Sequence, residues 1–159
     1  MIAKQVSGDD PIILAELALT LEQGGKSEKA MQFADEAHHA KPDNIDIAIF
    51  YARMCLSRGL ASRAGNVVSK AIDSDPENHE AWHMLSIAAN SSGTLPVPLE
   101  FATRYVQLQP KEAKAHATLA TAHRLNGNLD QSLSSYEHAL SIESMNDEAI
   151  AGKAEILES

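Results

Sequence analysis

Glycine returns at one fixed interval in this 159-residue chain: Gly25, Gly59, Gly93 and Gly127 stand 34 residues apart. Framed on that interval, other places repeat too. Place seven holds Leu17, Tyr51, Leu85 and Leu119, and place eight is always small, with Ala18, Ala52, Ser86 and Ala120. Place twenty holds Ala30, Ala64, Pro98 and Ser132, and place twenty-seven holds Ala37, Ala71, Tyr105 and Ala139. Place thirty-two holds Pro42, Pro76 and Pro110, then Ser144. A fixed period of this kind specifies a stacked array in which each unit buries its apolar face on its neighbours.

The frame gives four units, 11–44, 45–78, 79–112 and 113–146, and a partial fifth over 147–159. Within each half-unit the apolar residues recur at three and four, the helical period, and no segment alternates as a strand. The glycines end one helix, where a left-handed backbone is cheap for glycine alone. Small residues at places eight and twenty let two antiparallel helices approach closely. The prolines stop the second helix, and Asp43-Asn44, Glu77-Asn78 and Asn146-Asp147 supply capping side chains. Residues 1–10 hold no periodic pattern, and Ser7 to Pro11 reads as a helix start with proline in the first turn. Pro96 and Pro98 fall at the start of the third unit's second helix, tolerable in a first turn but apt to tilt it. The last stretch, DEAIAGKAEILES, reads as a fifth first-helix, with Lys153 replacing the usual Leu or Tyr as in a solvating cap or the start of an unfinished repeat.

These residues resemble the tetratricopeptide repeat family, whose pattern is W-x2-L-G-x2-Y, then A-x3-F, A and P. The resemblance covers residues 11–146, and Trp82 and Leu85 match most literally. Place eleven departs from the family tyrosine, with Leu21, Cys55, Ala89 and His123, and only Tyr136 is aromatic at place twenty-four. The resemblance implies an all-α fold, a right-handed superhelix (α-solenoid) of antiparallel helix pairs with about nine helices. It also implies a non-catalytic scaffold that holds a peptide or helix of a partner protein in its concave groove. First helices line that groove at places two, five, nine and twelve, beginning with Ile12, Ala15, Leu19, Glu22 and Asp46. The candidate binding residues among them are Arg53, Lys114, Arg124, Ile49, His83, Ile87, Asn90 and Thr121. The three cations form a candidate anchor for a carboxylate. The family's chaperone-tail clamp is not expected, because Ala15 and Leu19 occupy its first-unit places. Two alternatives follow from the same resemblance: the repeat region of a larger enzyme such as a sulfotransferase or glycosyltransferase, and a self-assembling array.

Charge narrows the partner. The net charge is −9, concentrated at the ends of the chain, and no basic stripe is present, so nucleic acid and anionic membrane surfaces are unexpected partners. No signal peptide or membrane span is read, and the single cysteine, Cys55, fits a reducing compartment, so a cytoplasmic location is expected. His79-Glu80-Ala81-Trp82-His83 matches the H-E-x-x-H helix of zinc proteases. Those are also ordinary repeat places one to five, His79 sits at the helix start, and no third ligand is apparent, so neither metal nor cofactor is expected. His38 and His39 read as partly exposed residues favouring a helix C-terminus. His116, His123 and Cys55 read as packing residues.

Overall fold

The computed structural model describes residues 10–159, so the lead-in before Asp10 lies outside the described residues. Nine α-helices follow: α1 (Pro11–Gln23), α2 (Ser27–Ala40), α3 (Ile45–Ser57), α4 (Ala61–Ala71), α5 (His79–Ser91), α6 (Leu99–Leu108), α7 (Ala113–Leu125), α8 (Leu129–Ile142) and α9 (Asp147–Glu158). No strand occurs among the described residues, and none of their helices is long and apolar enough to cross a membrane. The helices stack as antiparallel pairs into a solenoid. The first helices α1, α3, α5, α7 and α9 touch one another in succession, whereas no second helix makes a comparable contact with another second helix. That asymmetry puts the first helices on the inner side of the curve.

Local chemistry explains where each helix begins and ends. Asp10 accepts the Ile12 N–H at 2.9 Å ahead of Pro11, and Asn44, Asn78 and Asn146 accept from Ile47, Ala81 and Ala149 at 3.0, 3.1 and 3.0 Å. The four period-setting glycines all have φ between 71° and 76°. A methyl at any of them meets nothing within 4 Å, so the demand for glycine is conformational and not steric. After α1, α3 and α7 the chain closes the helix end by returning an N–H five residues back, as from Lys26 to the Leu21 carbonyl at 2.8 Å.

The third unit breaks this scheme. Pro96 and Pro98 do not lie in the first turn of α6; both precede it, and the helix starts only at Leu99. Each proline pushes the residue before it out of the helical region, which excludes a helix through Leu95 and Val97. The loop that results is held by the next unit, because Val97 donates to Asn126 Oδ1 at 2.7 Å and accepts from Asn126 Nδ2 at 2.9 Å. Pro98 is consequently exposed, although Ala30, Ala64 and Ser132 at the same place are fully buried.

The core is made mostly of alanine, with three tyrosines as its largest fully buried side chains: Tyr51, Tyr105 and Tyr136. Cys55 is buried, and burial pushes its thiol pKa up. His38 is also buried, stacked on Tyr51 at 5.5 Å, and desolvation lowers its pKa. The expectation of a partly exposed dipole-facing pair therefore fails for His38 and fits only His39, which is exposed with its Nδ1 2.8 Å from the Asp35 carbonyl oxygen.

Candidate functional site

Place nine of one unit meets place two of the next at the second and fourth junctions between first helices, and at the first the two places line one groove. At the second junction Arg53 pairs with Glu80, and at the fourth Thr121 donates to Glu148 at 2.8 Å. Arg124 also reaches the fifth unit, with Glu155 at 2.9 Å, and Asn90 donates to the Thr118 carbonyl at 3.3 Å. Four of the eight expected binding residues are thus engaged in holding adjacent units together. The supposed cationic group is not a free trio: Arg53 and Arg124 have carboxylate partners, and Lys114 is exposed with none among the described residues.

Place five lies deeper than the repeat frame alone suggests. Ile49 is 5% exposed and His83 is 4% exposed, so they form floor and not wall. His83 packs on the Tyr105 ring with centroids 4.8 Å apart. Burial holds its pKa down at about 4, with Lys114 and Arg53 adding to the effect, so the ring is neutral at pH 7. His79, four residues earlier, is exposed and also stacks on Tyr105, at 6.4 Å. The two imidazoles serve that aromatic cluster, and no group of three or more metal-ligating side chains occurs among the described residues. His116 is partly buried with Nε2 2.9 Å from the Pro110 carbonyl oxygen and meets His138 edge-on; His123 is partly buried, with its pKa lowered by desolvation.

The open part of this face is at its N-terminal end. Ile12, Ala15 and Leu19 of α1 and Asp46, Ile47 and Phe50 of α3 line a groove of about 340 Å³, together with Glu16 and Asn44. Ile12 is 55% exposed and Leu19 is 47% exposed. The repeat frame places Ile12, Ala15 and Leu19 on the inner face but outside the eight candidate binding residues. Phe50 it misses altogether, since place six carries no signature and reads as core.

The tetratricopeptide repeat model matches residues 21–87. Nothing matches among the curated protein sequences. Among solved structures, MamA 41-end from Desulfovibrio magneticus RS-1 superposes with a TM-score of 0.76 at 19% identity, covering 87% of this chain and 78% of that one. YrrB, described as a TPR protein with an unusual peptide-binding site, superposes with a TM-score of 0.76 at 18% identity over 96% of this chain and 78% of its own. TTC0263, a thermophilic TPR protein of Thermus thermophilus, gives 0.66 at 22% identity, over 93% and 90%. At these identities the likeness establishes the fold. With four units in one unbroken register, helix pairs stacked as that register requires, and a match to the tetratricopeptide repeat model over residues 21–87, the described chain has the fold of tetratricopeptide repeat proteins.

Proposed function

We propose that the protein is a binding module that receives an extended segment of a partner protein along the inner face of its first helices. The observation that carries this reading is the exposed aliphatic pair Ile12 and Leu19 over the N-terminal groove, apolar surface that the nine described helices leave open. Similarity to YrrB, whose description names a peptide-binding site, supports the same reading. The segment continues past Ile87 to Lys114, an exposed cation with no ion-pair partner among the described residues and suited to a carboxylate of the partner. Arg53, Thr121, Asn90 and Arg124 border this track while tying the units together, and Ile49 and His83 support it from below. Because inter-unit bonds already hold these side chains, the receptor loses little freedom on binding.

Affinity capture from the source organism tests the proposal with the wild-type chain beside Leu19→Glu and Lys114→Glu variants of equal helicity. Partners held by the wild type and lost by both variants are the expected result. Equal capture by all three moves the binding surface off this face.

A further inference from the structure

The first and third junctions, unlike the second and fourth, leave their place-nine and place-two residues without a mutual bond. The first pairs Leu19 with Asp46, and the third pairs Ile87 with Lys114. Each therefore presents an aliphatic side chain beside a charge with no ion-pair partner among the described residues, and the two charges are opposite. At the first junction the acidic character is doubled, because Glu16 and Asp46 lie on the same groove, both exposed and both without an ion pair there. Among the described residues neither carboxylate has an ion-pair partner: Arg53 is committed to Glu80, and Arg58 reaches back to Glu22 at 3.4 Å.

We propose that the N-terminal groove selects a partner segment carrying Leu, Ile or Val within two residues of Lys or Arg; this rests on the inner-face reading above. The aliphatic side chain enters between Ile12 and Leu19 over Ala15, Ile47 and Phe50, in a space of about 340 Å³. The basic side chain lays its methylene stem along the same apolar wall and brings its charge to Glu16 and Asp46. A cation placed between two carboxylates on one opening is attracted by both. With Lys114 farther along, the groove gives the segment a direction: its basic-aliphatic part lies on α1 and α3, and its acidic part on α7.

The test is to pan a randomised dodecapeptide display library against the full chain, then measure the enriched peptides, fluorescein-labelled, by anisotropy. Wild type, Leu19→Glu, Leu19→Ser, Asp46→Lys and Lys114→Glu are compared, each with its melting curve; Leu19→Ser stands in should Leu19→Glu fail to fold. Enriched peptides are expected to pair Leu, Ile or Val with a nearby Lys or Arg. Leu19→Glu is expected to weaken them about 10-fold or more, as loss of a buried aliphatic contact does. Asp46→Lys is expected to weaken them about 5-fold, a loss that shrinks as added salt screens the charge. Peptides lost with Lys114→Glu but indifferent to Leu19 and Asp46 overturn this inference and leave the inner-face reading standing. Peptides indifferent to every variant, or no enrichment at all, overturn both.

Discussion

At the fourth junction Thr121 bonds Glu148 and Arg124 bonds Glu155, whereas at the first junction Leu19 and Asp46, which occupy the places of Thr121 and Glu148, make no bond. The aromatic packing differs in the same sense. Tyr136 is fully buried, its hydroxyl 3.0 Å from Thr121 Oγ1, and its ring lies so close over Gly152 of α9 that a methyl there would overlap it. At the N-terminal end Phe50 is only partly buried and borders an open groove. The fourth junction commits its place-nine and place-two residues to each other; at the first junction the bonds between units run elsewhere, from Arg58 to Glu22 and the Ser27 carbonyl and from Arg63 to Asp35, and leave those two places without a mutual bond. One repeat pattern thus yields a bonded or an unbonded inner-face junction, according to what fills places two and nine.

The comparison breaks first at Gly152. Alanine is the better helix former by about 1 kcal/mol, so Gly152→Ala would stabilise an unconstrained helix. Here it is expected to cost about 3 kcal/mol net through overpacking against Tyr136. Thermal melting checks the loss, and adding Tyr136→Leu to the same chain is expected to return part of it.

Acid is the next lever. His83 has a folded pKa of about 4, below the unfolded value of 6.5. The unfolded chain therefore binds its proton first, and stability present above about pH 6.5 is lost as pH falls toward 4. The loss from this ring is about 2–3 kcal/mol. Buried His38 and partly buried His123, also shifted down, act in the same direction. Denaturant midpoints from pH 7.5 to 4.5 are expected to fall, with a shallower slope in His83→Gln.

Smaller effects separate the junctions more finely. Glu80→Gln removes the carboxylate from the half-exposed Arg53–Glu80 pair and is expected to cost less than about 1 kcal/mol by urea unfolding. Asp46→Asn, at the matching place of the first junction, has no bond to lose and is expected to stay within about 0.5 kcal/mol of wild type.

Most of the architecture was legible in the sequence because glycine, proline and asparagine act locally: a left-handed turn, a helix stop and an N-cap depend on a few neighbouring residues. Side-chain partnerships between units were not legible in the same way. Arg53 and Glu80 are 27 residues apart, and their meeting depends on how α3 and α5 lie side by side. For the same reason Ile49 and His83 read as groove wall but are floor. The displaced start of α6 follows from two prolines whose restrictive effect on their predecessors outweighed the helical pattern around them. The exchange of bulk between Tyr136 and Gly152 left a trace, a glycine in mid-helix opposite an aromatic, that the repeat frame alone did not single out.

Methyl-labelled NMR titration with an enriched peptide tests the central claim most directly. The account predicts that the Ile12, Leu19 and Ile87 methyls shift together, while Ile150 and Leu157 on the uncovered side of α9 stay in place. Shifts confined to Ile150 and Leu157, with Ile12 and Leu19 unmoved, would contradict it.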